Sequence, residues 1–84
     1  MVHLMKLKKN EIPEGWKLYR HFKDGAEYRG LRGFVAVRKD GKEYWFDWGI
    51  KKGDMLASSF VKDKKKIKPE LKRIMTREFP IEAD

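Results

Sequence analysis

Residues able to carry out catalysis are scarce in this chain of 84 residues. His3 and His21 are its only histidines, and their separation does not pair them as ligands of one metal ion. Glu43 and Asp47 fall on one face of a strand and have the chemistry to hold a divalent cation. Arg38, however, is the expected cross-strand neighbour of Glu43, and an ion pair is the simpler use of that carboxylate. Ser58 and Ser59 have no identifiable base to activate them. With 0 cysteines the chain has no thiol nucleophile, no disulfide and no thiolate ligand for zinc. No glycine-rich run ends in the Gly-Lys-Ser/Thr of a phosphate loop. The expectation is a non-enzymatic protein with no catalytic residue, no metal and no cofactor.

Rings and cations are abundant instead. Lys and Arg number 21 against 13 Asp and Glu, a net charge of +8, and 13% of the residues are aromatic. An excess of this size attracts nucleic acid or an acidic protein. Strand alternation places Lys17, Tyr19, His21, Tyr28, Arg32, Phe34, Arg38 and Trp45 on one face of a sheet. Unpaired bases need such a surface, because rings stack on bases while cations track phosphates. The plain alternative is that a helix or the N-terminal segment covers this face and makes Phe34 and Trp45 ordinary core.

A second feature is the run Lys62–Arg73, with Lys62, Lys64, Lys65, Lys66, Lys68, Lys72 and Arg73 against Asp63 and Glu70. Lys64, Lys65, Lys66 and Lys68 are candidate phosphate contacts, each releasing counterions and making affinity salt-dependent. A solvated connector and helix face is the plain reading of the same run. Lys51 and Lys52, flanked by Gly49 and Gly53, read as a strand-to-helix connector, with a loop that follows a nucleic-acid backbone as the alternative. The charge is uneven: residues 1–42 hold 11 Lys/Arg and 5 Asp/Glu (+6), while 43–84 hold 10 and 8 (+2).

These side chains need a scaffold. The chain is below one typical domain of ~100–150 residues, so 1–84 is expected to form a single small basic domain. Residues 1–10 mix Val2, Leu4, Met5 and Leu7 with lysines, as an edge strand or a basic arm would. Ile12-Pro13-Glu14-Gly15 reads as a turn. Asp40-Gly41 suits a two-residue hairpin loop, pairing Lys39 with Lys42, Val37 with Tyr44, Val35 with Phe46 and Arg38 with Glu43. Asp24-Gly25 offers a second such loop, pairing Leu18 with Leu31. The expected core face is then Trp16, Leu18, Phe22, Leu31, Val35, Val37, Tyr44, Phe46 and Trp48. One tension is built in: this register sets Arg20 opposite Arg29 on the core side, which a bulge at Gly30 or Gly33, or a longer loop around Gly25, would relieve.

Residues 16–49 thus form a β-meander. Residues 55–61 fit either a short helix capped by Asp54 or a strand. A C-terminal helix is expected over 69–79, opening on Pro69 and laying Leu71, Ile74, Met75 and Phe79 against the sheet. The fold class is α+β: a small antiparallel meander of three to five strands with that helix on one face. Basic strands followed by a helix resemble small archaeal chromatin proteins with an SH3-like barrel. They also resemble single-strand-binding coactivator domains, in which a curved sheet precedes a helix. No motif is shared with either, and no residue is carried over.

The functional expectation is nucleic-acid binding, DNA or RNA, mainly electrostatic with stacking and little base specificity. The alternative is a small regulator or inhibitor docking on an acidic protein surface. A homodimer through strand edges is a further possibility. No apolar run approaches the ~18 residues of a membrane span and residues 1–6 are too short and polar for a signal peptide, so a cytoplasmic location without membrane contact is expected.

Overall fold

The computed structural model describes residues 5–50 and 55–79. Five strands, β1 (Trp16–Phe22), β2 (Gly25–Gly30), β3 (Gly33–Asp40), β4 (Glu43–Ile50) and β5 (Met55–Val61), form one antiparallel sheet in chain order. A C-terminal helix follows, with α1 over Ile67–Arg73. The α+β meander expected from the sequence is the observed architecture, and residues 55–61 are a strand.

Both hairpins close one residue away from their Asp-Gly pairs. Between β3 and β4 the paired residues are Asp40 and Glu43, which leaves Gly41-Lys42 as the loop. Only Gly41 has positive φ there (+64°), the pattern of a loop whose first position must be glycine. The alternative loop would push Asp40 itself into the left-handed region. The slip moves both strands by one residue, so every side chain keeps its face while its partner changes: Val37 meets Phe46, Val35 meets Trp48 and Arg38 meets Trp45.

Between β1 and β2, Phe22 pairs with Gly25, and Lys23-Asp24 make the loop. Gly25 serves by its size, because a Cβ there would stand 2.7 Å from the Phe22 ring. The stretch read as one strand from Ala26 onward is two, broken at Leu31-Arg32 between Gly30 and Gly33. Leu31 is therefore not core but a turn residue, 81% exposed. Phe22 also leaves the expected core and is 41% exposed on the opposite face.

The core lies on one side of the sheet. Tyr28, Val35, Val37, Tyr44, Phe46 and Trp48 line its strand side, and Ile67, Leu71, Ile74 and Met75 its helix side. Those four helix residues recur at i, i+4, i+7 and i+8, a single apolar stripe. The helix begins earlier than Pro69. The Asp63 side chain accepts from the Lys65 backbone N–H at 2.9 Å, a 3-10 turn spans Lys64–Lys66, and α1 starts at Ile67. Pro69 sits in the first turn, where its missing N–H would have no partner anyway. Beyond Arg73 the helix widens into a π-helical turn over Ile74–Glu78.

The N-terminal segment is neither strand nor free arm from Met5 onward; residues 1–4 lie outside the described residues. Leu7 is buried in the core, and its backbone N–H donates to the Tyr28 hydroxyl at 2.7 Å. That hydroxyl donates in turn to the Met5 carbonyl at 2.6 Å. Trp16 closes the other end, its indole N–H donating to the Met75 carbonyl at 3.2 Å and its ring edge-on to Phe79. Helix and N-terminal segment thus occupy the same side and leave the other side of the sheet uncovered by any described element.

Candidate functional site

Register and alternation define the uncovered face as three rows of cross-strand neighbours about 6.7 Å apart, two residues along each strand. The first row is Phe22, Gly25, Arg38, Trp45 and Phe60. The middle row is Arg20, Glu27, Ala36, Asp47 and Ser58. The third begins Lys17, Arg29, Phe34 and Gly49. Rings therefore occupy the outer rows, and a polar row separates them.

The bulge in β1 completes the face. Pairing runs from Leu18–Tyr28 to Arg20–Glu27, so Tyr19 is the extra residue. A bulge turns the following side chains over, and this one sends Arg20 to the uncovered side. The like-charge contact expected on the core side is thereby removed. Glu27 now stands between Arg20 and Arg29, accepting from the Nε of each at 3.2 Å. The Arg29 guanidinium lies 3.6 Å from the centre of the Tyr19 ring, a close cation–π stack. Arg20 also approaches the Phe22 ring at 5.7 Å.

On the other half of the face, the Trp45 and Phe60 rings lie 4.9 Å apart, tilted by 30°. The Trp45 indole N–H donates to Glu43 at 3.1 Å. Arg38 meets Asp47 at 3.7 Å rather than Glu43, a consequence of the one-residue slip in the hairpin. The guanidinium of Arg38 is well exposed, so this pair contributes little to stability and leaves the cation available to a ligand.

The positions expected to bind divide into groups. Lys17, Tyr19, Phe34, Arg38 and Trp45 do come together on the uncovered face, with Tyr19 49% exposed and Phe34 and Trp45 half-buried. Tyr28 does not: it is fully buried on the helix side, and burial pushes its hydroxyl pKa up. Reading Ala26 onward as one strand had put it on the wrong face; the turn at Leu31-Arg32 brings Tyr28 opposite Val35, on the core side. His21 likewise pairs with Ala26 on the covered side. Arg32 stands in the β2–β3 turn at one end of the sheet. Lys64, Lys65 and Lys66 are exposed at the other end, beyond β5, and Lys68 is engaged on the covered side with Glu11 at 3.1 Å. Lys51 and Lys52 lie outside the described residues.

Four residues of the face were missed: Arg20, Phe22, Arg29 and Phe60. The signal for the first and third was present, since two arginines facing each other in an apolar core demand a register change. No group of three His, Asp or Glu able to hold a metal occurs among the described residues. Nor is any helix among them long and apolar enough to cross a membrane.

No family model, no curated protein and no solved structure matches this chain. Function therefore rests on the chain's own residues. The three rows carry Lys17, Arg20, Arg29 and Arg38 against Glu27 and Asp47, so the face itself is only mildly basic. The stronger field comes from its ends and from the helix start.

Proposed function

We propose that this is a non-enzymatic cytoplasmic domain that binds unpaired nucleic acid across the uncovered face of its sheet. The observation that carries the reading is the pair of aromatic rows, with Phe22, Trp45 and Phe60 in one and Phe34 in the other, and Tyr19 under Arg29 at the bulge, set among four cations. Bases stack on such rings for roughly 1–3 kcal/mol each, with little preference among them, because every base has a π face. Arg38, Lys17 and the lysines at Lys64–Lys66 supply phosphate contacts. Glu27 holds Arg20 and Arg29, while Asp47 lies beside Arg38. Base specificity is low in this reading.

Tryptophan fluorescence titrated with single-stranded and duplex oligonucleotides at two salt concentrations tests it. The expected result is quenching by the single strand at low salt, with affinity falling steeply as salt rises. Absence of any response at low salt by the folded protein overturns it. One observation favours a second reading: paired arginines and acids among half-buried rings are also the make-up of a protein interface. Docking on an acidic protein is then the function, and the same null titration points to it.

Self-association through a sheet edge would use β5. That strand has no charged residue from Met55 to Val61, whereas the β1 edge is bulged and carries Lys17 and Arg20. Sedimentation that returns a monomer at all concentrations removes this part of the proposal.

A further inference from the structure

Where the third row meets the β2–β3 turn, Trp16, Lys17, Tyr19, Arg29 and Leu31 border an open depression. Three features set it apart from the rest of the surface. Leu31 is the most exposed large apolar residue of the described chain, at 81%, and it stands on a turn whose tip has nothing packed over it. Arg29 is held flat: Tyr19 lies 3.6 Å beneath its guanidinium and Glu27 accepts from its Nε at 3.2 Å. Lys17 is the direct cross-strand neighbour of Arg29 and is exposed.

We infer that this depression receives one unpaired nucleobase, stacked on the Arg29 guanidinium with Leu31 as its apolar wall and Lys17 at its phosphate. The site rests on the nucleic-acid reading above and gives it a location. A guanidinium plane stacks on bases as an aromatic ring does, and it is better suited to this when its orientation is already fixed. Glu27, shared with Arg20, offsets only part of the charge, so what Arg29 adds beyond a lysine is its plane. The acid shared with Arg20 thus acts as a positioning residue, holding the Arg29 guanidinium over the Tyr19 ring while half of the side chain stays exposed. Leu31, 81% exposed, gains apolar cover when something flat lies against it.

The test separates plane from charge. Arg29→Lys keeps the cation and removes the plane, and position 29 is exposed, so the sheet is expected to hold; a dispersed amide spectrum checks this. Binding of a fluorescein-labelled decathymidylate is measured for both proteins over a range of salt. The expected result is affinity about tenfold weaker in the variant, the order of one lost stack, with the salt dependence unchanged. Leu31→Ser, on an exposed turn, should weaken binding in the same direction and serves if the first variant unfolds. In the wild-type amide spectrum the same oligonucleotide should move Gly30, Leu31 and the Trp16 indole. Wild-type binding with those signals unmoved, or with both variants binding normally, overturns the base site and leaves the wider reading standing. A wild-type protein that fails to bind at low salt overturns that wider reading itself.

Discussion

On one side of the sheet Tyr28, Val35, Val37 and Phe46 are sealed from water by Leu7, Ile67, Leu71 and Ile74. On the other side the same strands present Tyr19, Phe22 and Phe60, each between two-fifths and one-half exposed. Both sides are rich in rings, so hydrophobicity alone does not distinguish them. The difference is what orders the side chains. The covered side uses volume, together with hydrogen bonds into the backbone from Tyr28 and Trp16. The open side uses ion pairs and ring contacts among exposed groups: Arg20 and Arg29 with Glu27, Arg38 with Asp47, and Trp45 with Phe60. Contacts of the second kind are individually weak in water, so their arrangement is more readily explained by what the face meets than by what it contributes to folding.

That contrast is broken most directly by trading one side for the other. Leu71→Ala should destabilise the domain by about 2–5 kcal/mol, the range for a buried leucine whose cavity cannot collapse. Phe60→Ala, on the open face, should cost well under half as much, although more carbon is removed. Urea unfolding of the two variants compares them. Equal losses would mean that the open face is a second core and not an interface.

Tyr28→Phe is next in size. It keeps the ring in place but takes away the acceptor for the Leu7 N–H and the donor to the Met5 carbonyl. A buried N–H left unmatched costs about 1–3 kcal/mol. The loss should appear as faster amide exchange at Leu7 as well as a lower unfolding midpoint. Trp45→Ala and Arg38→Ala sharpen the other side of the comparison. In oligonucleotide titrations the first should weaken binding by about 1–3 kcal/mol without altering its salt dependence, whereas the second should reduce the salt slope by about one phosphate.

The covered side was largely legible in the sequence. Val35, Val37, Tyr44, Phe46 and Trp48 follow from period-two alternation, and a one-residue slip at Gly41 leaves their faces untouched because both strands move together. The open side depended on two irregularities, the Leu31-Arg32 turn that places Arg29 on it and the bulge at Tyr19 that places Arg20 there. Asp24-Gly25 and Asp40-Gly41 look alike as turn signals, yet only Gly41 uses its positive φ, while Gly25 makes room for Phe22. The bulge at Tyr19 leaves no local mark, since any residue can occupy such a position. Its trace was the clash it resolves, between Arg20 and Arg29, and Gly30 and Gly33 were the expected sites of relief. Those glycines instead bracket the Leu31-Arg32 turn, and a Cβ at Gly30 would stand 2.7 Å from the Trp16 ring. At the helix, Ile67 was overlooked because Pro69 appeared to be the starting residue, although a proline fits anywhere in the first turn.

The smallest expected effect is one of pH, and it concerns the covered side. Glu70 sits on the covered side, where Ser59 donates to it at 2.7 Å and Arg73 donates to both its oxygens at 2.8 and 2.9 Å. The Arg73 hydrogen bonds are the main reason its pKa lies below the ordinary carboxylate value. Glu11 is lowered too, chiefly by the Lys8 backbone N–H and then by Lys68. A depressed carboxylate stabilises the fold wherever the unfolded chain would also be ionised, and that contribution is lost as pH falls through the folded-state value. Stability should therefore be flat near neutrality and decline below about pH 4, where unfolded carboxylates begin to protonate. Glu70→Gln should flatten part of that decline, because the lost group no longer titrates. Thermal unfolding of the variant and the parent protein between pH 3 and pH 7 measures the difference, and an undiminished decline in the variant would remove Glu70 from the interactions that hold the covered side at neutral pH.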